Sequence, residues 1–84
     1  MEDVEKKRIV WHSRRGMLEL DLLLVPFARD CYNGLAPGHQ LLYRQLLEQE
    51  DQDLFAWLLN RASPPRQGFG ELVSLILEHA SGTN

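Results

Sequence analysis

Apolar residues recur along this chain at steps of three and four, the spacing that stacks side chains on one face of an α-helix. Leu20, Leu24, Phe27, Cys31 and Leu35 follow one another at steps of four, three, four and four. Leu41, Leu42, Tyr43, Leu46 and Leu47 form a second group, and Leu54, Phe55, Trp57, Leu58 and Leu59 a third. A fourth holds Phe69, Leu72, Val73, Ile76, Leu77 and Ala80. No stretch alternates with period two, so strands are not expected. Gly16, Asn33-Gly34 ahead of Pro37, and Ser63-Pro64-Pro65-Arg66-Gln67-Gly68 punctuate the pattern. Together they predict an all-α fold, a compact bundle of five short helices over about 4–15, 18–33, 37–49, 52–61 and 69–80, in a single domain spanning 1–84.

The ends of these helices carry recognisable chemistry. Asp3 is placed to cap the first, and Gly16 suits a left-handed cap at its C-terminus because glycine takes positive φ without a Cβ clash. Glu19 and Asp21 open the second, where carboxylates interact favourably with the helix dipole. Pro26 predicts a kink or break near Leu22 to Val25, since it removes one hydrogen bond and crowds the preceding turn. Asp51 is expected to cap the fourth helix.

Length and composition narrow the function. With 84 residues, 44% apolar and 25% charged, there is room for one core and none for a cofactor domain beside it. The net charge of −3 is unevenly spread: residues 1–16 carry five basic and three acidic groups, a net of +2, and the rest carry a net of −5. An acidic body argues against nucleic acid as a partner. No apolar run is long enough to span a bilayer, so the chain is not expected to be membrane-embedded. The acidic opening Met1-Glu2-Asp3-Val4-Glu5 does not resemble a secretory leader, and the lone Cys31 fits a reducing compartment, so a cytoplasmic location is expected.

Catalytic chemistry finds little footing. Cys31 falls on the apolar face of the second helix, where a buried thiol is expected. His12, His39 and His79 are scattered, and the acidic run Glu48, Glu50, Asp51, Asp53 lacks the glycine and terminal glutamate of a calcium loop, so no metal site is expected. Val4, Arg8, Trp11 and Arg15, at steps of four, three and four, define a stripe that mixes aromatic and cationic groups. One reading has Ile9 and Trp11 anchoring the helix while the arginines lie over them. The other makes the stripe an interface, where Trp and Arg are enriched.

Arg15, Gly16 and Glu19 spell Arg-Gly-x-x-Glu, preceded by Trp11 and followed by Pro26-Phe27. Further on, Leu46-Leu47-Glu48 leads into Asp51-x-Asp53-Leu54-Phe55-x-Trp57-Leu58. In order and distance these segments, spanning roughly residues 8 to 78, resemble the family of FAD assembly factors for succinate dehydrogenase and fumarate reductase. Gln52 departs from that pattern, where family members often have proline. The resemblance implies a five-helix fold and a helper, not an enzyme, that binds the flavoprotein subunit and promotes its covalent FAD attachment. It implies no stably bound cofactor in this chain. It also implies a contact surface of Arg15, Gly16 and Glu19, extended by Arg8 and Trp11, while Pro26, Phe27, Phe55 and Trp57 are assigned to the core. Structural roles stand beside these: Gly16 as a cap, Glu19 as a dipole partner and Arg15 as a solvated charge. Some relatives have been labelled antitoxins of toxin–antitoxin pairs, and that binding function is the alternative.

Overall fold

The computed structural model describes residues 2–82, with side chains from Val4 onward. Five helices follow in order: α1 Glu2–His12, α2 Leu18–Cys31, α3 Pro37–Leu46, α4 Asp51–Leu58 and α5 Gln67–Ala80, with a 3₁₀ turn at Tyr32–Gly34 after α2. Among the described residues there is no strand. The cap expected at Asp3 concerns a side chain outside the described residues. Most inward positions are ones the spacing marks, but Leu41 and Ala80 are exposed. Leu20, Leu24, Phe27 and Ala28 from α2, Tyr43 and Leu46 from α3, Leu54, Trp57 and Leu58 from α4, and Phe69, Leu72, Val73 and Ile76 from α5 are buried. Cys31, expected to be buried, is only half-buried at the end of α2, and its thiol is pushed up by desolvation and, less, by the neighbouring Asp30 charge.

Helix α2 is the hub, packing against α1, α4 and α5, while α3 packs on α5. The radius of gyration, 11.8 Å, equals the ~12 Å of a compact chain of this length, so one core serves all five helices. Aromatic rings join the layers: Tyr43 meets Phe27 at 5.6 Å and Tyr32 at 5.9 Å, and Trp57 meets Phe69 at 5.9 Å. At the far end of α5, His79 Nε2 reaches Asp30 Oδ2 at 3.1 Å. The Arg29 hydrogen bond, with help from His79, holds the Asp30 carboxyl below its ordinary range.

Several helix ends fall inside the predicted ones, each for a local reason. Helix α1 stops at His12 because Arg14 N–H turns back to the Trp11 carbonyl and Arg15 N–H is taken by Asp21 Oδ1, at 2.6 Å. Helix α3 stops at Leu46, where Glu48 and Gln49 make tighter bonds to Gln45 and Leu46. Helix α4 ends at Leu58 in a Schellman turn: Asn60 adopts φ 64°, Arg61 N–H meets the Ala56 carbonyl at 2.7 Å, and Asn60 N–H meets Trp57. Asp51 does not cap α4; Glu50 holds the cap position without a side-chain bond, and Asp51 is the first helical residue. Helix α2 runs through Pro26 unbroken.

Ser13, fully buried, is a polar contact that spacing did not predict. Its hydroxyl donates to the Ile9 carbonyl at 2.8 Å, which leaves Tyr43 as donor in the 2.7 Å contact between the two hydroxyls. Burial is the main cause that pushes the Tyr43 hydroxyl from 10.0 up to about 12, against the lowering effect of Ser13. The folded state therefore favours neutral tyrosine. Its contribution is fully present below pH 10 and is lost as the pH rises from about 10 to about 12, a total on the order of 3 kcal/mol. Urea midpoints measured from pH 9 to pH 11.5 should fall, and the Tyr43→Phe variant should show a shallower decline.

Candidate functional site

The segment between α1 and α2 makes a sharp corner, and Gly16 carries it at φ +86°. A Cβ built there would meet nothing within 4 Å, so the need for glycine is backbone conformation and not space. Gly16 is not the cap of α1, since three residues, Ser13, Arg14 and Arg15, separate it from the helix end at His12. It belongs to the corner itself.

Arg15 holds that corner from within. Its Nε donates to Asp51 Oδ1 at 2.8 Å, one terminal nitrogen donates to the Leu47 carbonyl at 2.8 Å and the His12 carbonyl at 3.3 Å, and the other donates to the Gln49 carbonyl at 3.1 Å. Apart from the His12 carbonyl at the end of α1, those acceptors lie in the turn after α3 and at the first residue of α4, where carbonyls and a carboxylate invite a cation. The Arg15 side chain is only 16% exposed. It is not the freely solvated charge that was one expectation for it. Asp21 completes the clamp by accepting the Arg15 backbone N–H. Asp51, Asp21 and the two α3–α4 carbonyls thus join the site; the recurrence of acidic residues after helix 3 was the only trace of this in the sequence.

The remaining candidates face outward. Glu19 is exposed in the first turn of α2, and no hydrogen bond or ion pair among the described residues engages its side chain. Trp11 is 71% exposed. It follows the buried Ile9 by two positions, roughly 200° around the helix, so Ile9, with the half-buried Val10 beside it, anchors α1 while the indole points away from the core. Arg8 is exposed at the edge of a groove of about 690 Å³ whose floor is Ile9 and Leu47 and whose far wall carries Arg44. Arg44 is engaged by the Tyr32 hydroxyl and by Glu5 at 3.8 Å. Arg15 lies beyond the end of α1, yet it lines the same groove as Val4 and Arg8, whereas Trp11 is not part of that lining. Phe27 and Trp57 are buried, while Pro26 and Phe55 are half-buried, with Arg61 lying 5.7 Å over the Phe55 ring.

Among the described residues, no group of His, Cys, Asp and Glu side chains is gathered to hold a metal ion, and no helix is long and apolar enough to cross a membrane. The fold is a small helical bundle that turns a glycine corner, a carboxylate and an indole toward solvent. Comparison with known proteins gives the family. The family model Sdh5, described as flavinator of succinate dehydrogenase, matches residues 7–80. The chain is 49% identical over 77 residues to a FAD assembly factor SdhE of Pseudomonas aeruginosa, a match covering 92% of each chain. It is 51% identical over 78 residues to the protein of that name from Pseudomonas savastanoi, covering 93% of each, and 40% identical over 75 residues to that of Vibrio cholerae, covering 89% of this chain and 87% of the relative. The chain belongs to this family of FAD assembly factors.

Proposed function

We propose that this protein acts in the cytoplasm, binds the flavoprotein subunit of succinate dehydrogenase or fumarate reductase, and promotes covalent attachment of FAD to it without keeping the cofactor. The observation that carries this reading is the outward carboxylate of Glu19, without an internal partner, beside a corner that Arg15 fixes from below. A carboxylate held on a rigid turn is a ready acceptor for a partner's donors, and Gly16 lets a partner backbone come close. Arg8 and Trp11 extend the contact along α1. Arg15 acts by positioning, since its donors are already engaged.

Such a helper needs no reacting group. By binding the flavoprotein conformation in which the flavin and its attachment residue are aligned, it raises the population of that conformation, and alignment alone can lower a barrier by several kcal/mol. In-gel flavin fluorescence of the denatured flavoprotein, from cells with and without this protein, tests the reading. Covalent flavin should fall when the protein is absent. Unchanged fluorescence would reject the assembly role and leave the antitoxin alternative.

A further inference from the structure

Among the described residues, the large apolar side chains left most open to water are Val4, Trp11, Leu18, Leu22 and Leu41. All but Leu41 lie on α1 and α2, the helices that the Gly16 corner joins. Leu18 is 69% exposed and Leu22 62%. They stand one helical turn apart on the side of α2 away from the buried Leu20, Leu24 and Phe27. Glu19 lies between them in sequence and is three positions before Leu22, so its carboxylate borders the same outward face. The continuous run Leu22-Leu23-Leu24-Val25 makes α2 apolar on more sides than its three packed neighbours can cover. A helix apolar on several sides belongs in a buried setting, and here one side lacks its cover.

We infer that Leu18 and Leu22, flanking Glu19, form the docking face for the flavoprotein, which must offer an apolar patch edged by a cation or hydrogen-bond donor. The inference rests on the proposed assembly role and adds to it the residues that supply the contact area. Continuity with the corner favours this occupant. Leu18 lies two residues beyond Gly16, and Glu19 adjoins Leu22 at a spacing of three, so the two leucines continue the exposed surface of the corner onto α2. The chemistry is that of an interface centre: apolar side chains that lose water on contact, around a single charge that selects the register.

The test compares Leu18→Gln/Leu22→Gln and Leu22→Gln with Leu41→Gln, measuring affinity for the purified flavoprotein subunit by calorimetry, covalent flavin in cells, and melting by circular dichroism. Glutamine is a good helix former and these sites are exposed, so all variants should melt close to the unmodified protein. The double variant should bind about 100-fold more weakly and Leu22→Gln about tenfold, in line with the burial of two leucines that are now mostly exposed. Leu41→Gln, equally apolar but on α3, should bind normally. If the double variant binds like the unmodified protein while Glu19→Ala does not, the docking face is wrong and the assembly role stands. If the unmodified protein shows no affinity for the flavoprotein, the assembly role itself fails. Sedimentation that finds a dimer of the protein alone, split by the double variant, would overturn the inference in favour of a second copy as occupant.

Discussion

Replacing Arg15 by alanine should lower the unfolding free energy by roughly 3 kcal/mol, far more than the loss of an ordinary surface arginine. Removal would strip the Leu47 and Gln49 carbonyls of their donors and leave Asp51 without its cation. Charge-assisted hydrogen bonds are worth about 1.5–3 kcal/mol each, but the 41% exposure of Asp51 lets water recover part of the loss, which keeps the total near the value of one to two such bonds. Lysine should rescue less than half, because one ammonium cannot span the carboxylate and both carbonyls as the planar guanidinium does. Urea unfolding of Arg15→Ala and Arg15→Lys measures this directly. Flavinylation should fall in step with the population of folded protein and with the loosening of the corner. A variant as stable as the unmodified protein would contradict the clamp.

Trp57→Ala should have an effect as large or larger, about 3–5 kcal/mol. The indole is 7% exposed, packs against Phe69 at 5.9 Å and fastens α4 to α5. Whole domains of this size have only about 4–13 kcal/mol in hand, so the variant should be largely unfolded near physiological temperature. Circular dichroism should show a broad, lowered melt, and Trp57→Phe should retain much of the lost stability by refilling most of the space. A sharp melt at the unmodified temperature would mean that α4 is held elsewhere.

The helices were legible because their inward faces repeat at the helical period; their ends were not. Helix α1 was expected to reach residue 15, which aligned Arg15 with Val4, Arg8 and Trp11. Arg15 instead lies past the helix end, its N–H taken by Asp21 and its side chain by the α3–α4 turn, partners six and more than thirty residues away that no local pattern displays. The α4 end was misplaced for a local reason, the left-handed Asn60, a residue type that tolerates positive φ. Asp51 was misread as a cap because a carboxylate at a helix start serves a distant arginine as well as a near N–H. The positive φ of Gly16 was legible from its residue type, but the residue lies in the corner beyond the helix end and not at the expected cap of α1, while Glu19 does fall in the first turn of α2. Leu18 and Leu22 were passed over, although a run apolar on every side of α2 marked a helix with more apolar surface than one core face can take.

In the proposed role Glu19 works on the partner and Arg15 works on the fold. That division is tested most directly by in-gel flavin fluorescence of the flavoprotein in cells that carry only the Glu19→Ala protein, with the purified variant melted in parallel. The melting temperature should be unchanged and covalent flavin as low as in cells lacking the protein. Full flavinylation by Glu19→Ala, or a variant that loses flavinylation only because it has unfolded, would contradict it.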